Sequence, residues 1–175
     1  MKTLNVYEYD ELSEDVQRIV LSRVVNSYAF NLDITEALAD FVDEEINNLS
    51  GGFLTNEYKF VINDVEGLID RIYQPNEGML FQLNCACAWG HLHSVIIKNY
   101  LTDVHVEVSL DNVNLHALID DFTEDIKTWI NDIKKEIEHK KSQFIVDYKS
   151  RSCVENYIDR MGMQFTENGD EIKIG

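Results

Sequence analysis

The sequence predicts an α+β fold, an antiparallel sheet of three to four strands packed against two N-terminal helices and one long helix in the C-terminal half. Three observations predict it. From Leu115 to Tyr148 the apolar residues Leu118, Ile119, Phe122, Ile126, Trp129, Ile130, Ile133, Ile137 and Phe144 recur at intervals of mostly three and four, which lays one stripe down a helix roughly 50 Å long. In Tyr58, Phe60, Ile62 and again in Val104, Val106, Val108, Leu110 the period falls to two, the mark of strands with one buried face. Two shorter helical stripes precede residue 50.

In chain order, Val6–Glu11 forms a short lead. Ser13, followed by Glu14 and Asp15, is an N-cap with acids in the first turn, and Leu12, Val16, Ile19, Val20, Val24 and Tyr28 supply the apolar positions of a first helix. A second helix is expected to start near Asp33, to bury Ile34, Leu38, Phe41, Val42, Ile46 and Leu49, and to stop at Ser50-Gly51-Gly52. Gly67–Tyr73 suits another short strand, and Pro75-Asn76-Glu77-Gly78 a turn. Met79–Ile97 has the length of a central strand continuing past Gly90, although Leu92, Val95, Ile96 and Tyr100 also fit a helix. The long helix breaks at Lys149–Ser152. Ser152 can then cap a last helix that runs to Met161 and buries Val154, Tyr157 and Ile158, and a turn at Asn168-Gly169 closes the chain between extended pieces.

With 175 residues, 45% of them apolar, the chain is expected to be a single domain over 1–175. It has one proline, no linker-like run and no internal repeat. No basic flank followed by an apolar core opens it, and no apolar run approaches bilayer length, so a soluble, cytoplasmic protein without membrane partners is expected. Three cysteines, an odd number, do not make a secreted disulfide framework.

The net charge of −17 is unevenly spread. Residues 1–80 hold 16 acids and 5 bases, residues 81–126 hold 7 and 1, and residues 127–175 hold 9 and 9. An acidic surface repels phosphates, which argues against direct binding of duplex DNA or anionic membrane and favours a basic partner. Asp33, Glu36, Asp40, Asp43 and Glu44 fall on one side of the second helix with no Lys or Arg among them, and Asp120, Asp121, Glu124 and Asp125 crowd the amino end of the long helix. Such faces either serve solvation or dock a cationic partner, whose charge relieves their mutual repulsion.

One constellation invites chemistry: Cys85, Cys87, Trp89, His91 and His93 alternate along what would be one strand face. Thiolates two apart on a strand lie about 6–7 Å from each other, wide for tetrahedral zinc, and Cys153 stands alone, so no metal and no cofactor are expected. The alanines and glycine between the large residues suit a packed core instead. His91 and His93 remain candidate acid and base for cleaving RNA, but Lys98 is the one base between residues 81 and 126, too few to hold phosphate unless another protein holds the substrate.

Two stretches carry a resemblance. Tyr7-Glu8-Tyr9-Asp10-Glu11-Leu12-Ser13-Glu14-Asp15 resembles the opening of a group of small acidic phage-encoded proteins, and Tyr148, Ser152, Glu155-Asn156-Tyr157-Ile158 and Phe165-Thr166-Glu167-Asn168-Gly169 are similar to how they close. The chain departs from that group at Gln74-Pro75-Asn76-Glu77-Gly78, where relatives have a Gln-Gly-Asp-Gly type segment, so no role of that loop is carried over to this chain. The resemblance implies a phage or mobile-element origin and a counter-defence role, with anti-CRISPR inhibitors of type II effector nucleases the best-fitting class. Some of those occupy the nuclease's nucleic-acid groove with carboxylates, and others act on its guide RNA. The expected partner is therefore a basic nucleic-acid-binding protein, a CRISPR effector nuclease or its guide complex. A ribonuclease-like factor using His91 and His93, or a phage accessory protein of unrelated function, is the alternative.

Overall fold

The computed structural model describes residues 5–55, 59–73, 92–110 and 116–172. They form an α+β fold with α1 (Glu14–Val25), α2 (Tyr28–Ser50), β1 (Lys59–Ile62), α3 (Val65–Ile72), β2 (Leu92–Lys98), β3 (His105–Leu110), α4 (His116–Tyr148) and α5 (Arg151–Arg160). The turn expected at Pro75–Gly78 and the first part, 79–91, of the strand expected over Met79–Ile97 lie outside the described residues. The contacts divide the chain into unit 1, Met1–Asp40 with Lys140–Gly175, and unit 2, Phe41–His139, so the boundaries fall within α2 and α4.

Unit 2 holds the antiparallel sheet in the order β1-β2-β3, with Phe60 opposite Ile97 and Val95 opposite Val108. Val95 and Ile97 of the central strand are fully buried, and β3 alternates as expected, with Val106 and Val108 half-buried between exposed His105, Glu107 and Ser109. Beneath them α4 contributes Phe122, Ile126, Ile130, Ile133 and Ile137, spaced four, four, three and four apart. Each such side chain removed from water stabilises by roughly 1.5–3 kcal/mol, which is why the stripe dictates this part of the fold. Of the two readings open for Trp89–Tyr100, the strand prevails from Leu92 to Lys98. Asn99, at φ 52°, then turns the chain, accepting from the Thr102 and Asp103 amides at 3.0 and 2.8 Å.

The segment Gly67–Tyr73, expected as a strand, is instead helical. Asp64 caps α3 by accepting the Gly67 amide at 3.0 Å, and Val65, Leu68 and Ile69 are buried on one face. A glycine is what fits at position 67: a Cβ on it would lie 2.4 Å from an Asp64 carboxylate oxygen. At the end of the helix Arg71 turns back to cap α2, donating to the Asn48 and Leu49 carbonyls at 3.2 and 2.6 Å.

Unit 1 packs α1 against α5 around Val20, Val24, Phe30, Val154, Tyr157, Ile158 and Phe165. The second helix starts at Tyr28, not near Asp33, because the Ser27 hydroxyl accepts the Phe30 amide at 3.2 Å and so caps it. Tyr28 consequently leaves the stripe of α1 and points to solvent, and Ile19 is exposed as well. A second shift of the same kind occurs later: Ser150, not Ser152, occupies the N-cap of α5. The end of the chain folds back as expected. Phe165 bridges Tyr7 on one side and Glu171 on the other, and Gly169, at φ +76°, turns between them. A Cβ on Gly169 would come within 2.9 Å of Val16 and Val20, so the turn rests directly on α1.

Candidate partner-binding surface

The structure separates the nine candidate carboxylates into those the fold uses and those it leaves in water. In unit 1, Asp33 belongs to the first kind. Tyr148 donates its hydroxyl to Asp33 at 2.7 Å, and Arg160 Nη2 donates to both carboxylate oxygens at 2.7 and 2.8 Å. Arg160 also lies 5.5 Å above the Tyr157 ring. Thus α2, α4 and α5 are joined through one carboxylate that is only 25% exposed. Burial opposes its ionisation, yet the hydrogen bonds from Tyr148 and Arg160 and the charge of Arg160 outweigh burial and hold it below the ordinary 3.8.

The sign of the pH dependence follows. A carboxyl whose folded pKa is depressed contributes stability that is present above its unfolded value and is lost as pH falls through the folded one. Asp33→Asn is expected to destabilise by about 1–2 kcal/mol at neutral pH, the range for charge-assisted bonds at a partly exposed site. The difference between variant and wild type, read from urea midpoints along a pH series, should shrink below about 3.8. A gap that stays constant through the acid range would mean that Asp33 acts through its shape and not its charge.

In unit 2, Asp125 is likewise committed, accepting the Tyr73 hydroxyl. Glu124 is exposed but paired with Lys127 at 2.6 Å. Asp43, Glu44, Asp120 and Asp121 are exposed and form no ion pair among the described residues, and the same holds for Glu36 and Asp40 in unit 1. Asp43 nevertheless makes itself felt inside. The Tyr100 phenol, which donates to the Thr55 carbonyl, is pushed up to about 12, first by burial and then by the negative charge of Asp43. Two of the nine are therefore structural, one is screened by its own helix, and six are open.

The histidine motif fares differently. Cys85, Cys87, Trp89 and His91 lie outside the described residues, so the His91/His93 pair is described only at its second member. His93 is exposed, not part of a packed core. It sits where the β2–β3 register slips between Leu92 and Ser94, and one extra residue in a ladder turns a side chain to the other face. His105 is exposed opposite Lys98, and Cys153 is a free half-buried thiol. Among the described residues no three His, Cys, Asp or Glu side chains are grouped to hold a metal ion, and no helix is long and apolar enough to cross a membrane.

The partners of Asp33 and Asp125 escaped sequence reasoning because Tyr148, Arg160 and Tyr73 lie 115, 127 and 52 residues away from the carboxylates they serve. No local signal marks such pairs. No protein-family model, curated protein or solved structure matches the chain.

Proposed function

We propose that this protein is a phage or mobile-element counter-defence factor that inhibits a CRISPR effector nuclease by presenting carboxylates to its nucleic-acid-binding groove. The observation that supports this reading is the set of exposed acids without ion pairs, Asp43, Glu44, Asp120 and Asp121, with Glu36 and Asp40 preceding them on α2. Uncompensated like charges on a helix face repel one another, and a basic groove relieves that repulsion while supplying long-range attraction. The resemblance of both ends of the chain to small acidic phage proteins supplies the class of partner. No catalytic group is needed for such a mechanism, and the host cytoplasm is where it would operate.

The test is a cleavage assay with a type II effector nuclease, its guide RNA and a target duplex, with this protein added before and after guide loading and both nucleic acids resolved on a gel. Inhibition with an intact guide is the expected result. A shortened guide would instead favour the ribonuclease reading with His91 and His93, and their double alanine variant should then be inactive. Unimpaired cleavage by several such nucleases would overturn the proposal.

A further inference from the structure

A second surface, unrelated to the open carboxylates, lies within unit 1. There a cleft of about 820 Å³ is bounded by the α1–α2 junction, the end of α5 and the closing turn. Val20, Val24, Tyr157 and Phe165 are buried along it, while Tyr28, 84% exposed, and Met161, 56% exposed, stand at its mouth. Large exposed side chains beside an apolar hollow are where binding energy concentrates in protein interfaces.

The backbone at one wall specifies what kind of occupant fits. Phe165 and Glu171 are paired through bonds made by their neighbours, Thr166 N–H to Asp170 O at 2.9 Å and Ile172 N–H to Gln164 O at 2.8 Å. In an antiparallel ribbon successive residues direct their N–H and C=O to opposite sides. Phe165 sends its own pair to Tyr7, with both bonds 2.9 Å long. Glu171 must send its pair outward, away from Phe165, where it meets no hydrogen-bonding partner among the described residues. The three-piece ribbon Tyr7, Phe165, Glu171 thus ends in an open edge that borders the cleft.

Charge narrows the choice further. The charged residues lining the cleft are Arg23, Asp170 and Glu171. Arg23 is bound to Asp170 at 2.9 Å and to the Gly169 carbonyl at 2.8 Å, so among the described residues Glu171 has no ion-pair partner. We infer that the cleft docks an extended segment of another protein, which adds as a strand beside Glu171 and carries a large apolar residue two positions from a Lys or Arg. Alternate residues of a strand share a face, so the apolar side chain reaches Tyr28 and Met161 while the cation lies across from the Glu171 carboxylate.

The experiment pans a displayed library of random seven-residue peptides on the full chain, then measures the best synthetic peptide by fluorescence anisotropy. Enrichment of an apolar-x-Lys/Arg pattern is expected. Tyr28→Ala combined with Met161→Ala should weaken that peptide at least tenfold with an unchanged far-UV CD spectrum, since both side chains are exposed. Glu171→Lys should weaken it about tenfold and restore binding to the same peptide with Glu in place of its cation. N-methylation of the residue opposite Glu171 should also abolish binding, because it removes a strand donor. No enrichment, or peptides that bind the double variant as tightly as wild type, would overturn the inference. A wild-type dimer that the double variant turns into a monomer would overturn it too, assigning the cleft to a second copy of the chain.

Discussion

Phe30→Ala is expected to destabilise the protein by about 4 kcal/mol, within the range for truncating a buried aromatic ring. Phe30 is fully buried in unit 1. Its ring meets Tyr157 edge-on at 4.9 Å with planes at 77°, and Tyr148 at 6.0 Å with planes at 46°. Such pairs add roughly 0.5–1.5 kcal/mol beyond the area they bury, and both would be lost along with the transfer free energy of the ring. The surroundings are also ill suited to collapse into the vacancy. Tyr148 is held by its bond to Asp33, and Tyr157 lies under Arg160, so neither ring can swing inward without giving up a polar contact. Urea titration followed by far-UV CD should therefore show a lower midpoint at unchanged slope, and the thermal midpoint should fall by about 10 °C or more. Phe30→Leu, which keeps most of the volume, should cost about a third as much. A loss below about 1 kcal/mol for the alanine variant would show that the site relaxes freely, contrary to the fixed rings around it.

The half-helix that carries Phe30 is the part of α2 that the sequence hid. Asp33 followed by Glu36 imitates an N-cap and an acidic first turn, whereas the capping atom is the Ser27 hydroxyl, six residues earlier, and the Asp33 carboxylate is engaged elsewhere. The signal at Asp33 therefore misplaces the start, and the Ser27 cap together with the burial of Phe30 sets the earlier one in competition with it. The same competition explains α3, whose eight residues are too few for a periodic signal and whose Gly67 argues against a helix until the Asp64 cap is seen. By contrast α4 was legible throughout its 33 residues, because a buried stripe repeated over many turns admits no other period. β3 was legible for the corresponding reason at period two. The acidic stripe could be located from the absence of neighbouring bases, but its division into open and engaged carboxylates depends on Tyr73, Tyr148 and Arg160, which only folding brings near.

That division makes the charge-mimic proposal sharp enough to test by mutation. Reversing Asp43, Glu44, Asp120 and Asp121 to lysine is expected to weaken nuclease inhibition by 100-fold or more, about 3 kcal/mol, while leaving the fold intact. Each reversal shifts the charge by two, so four take the net charge from −17 to −9. All four side chains are exposed and none has an ion pair to lose among the described residues. Folding stability should even rise slightly, because Asp40 and Glu44 are like charges four apart on α2, and a lysine at the second position turns repulsion into attraction. Asp33 and Asp125 are deliberately spared, since reversing them would place a cation against Arg160 or remove the Asp125 acceptor of the Tyr73 hydroxyl and confuse lost binding with lost structure. Binding of the wild type should weaken steeply as salt shortens the Debye length from about 10 Å at 0.1 M towards about 3 Å at 1 M, and the quadruple variant should show a much flatter dependence. Inhibition by the variant equal to that of wild type at low salt would rule out these carboxylates as the contact, and would leave any inhibition to be explained by another surface.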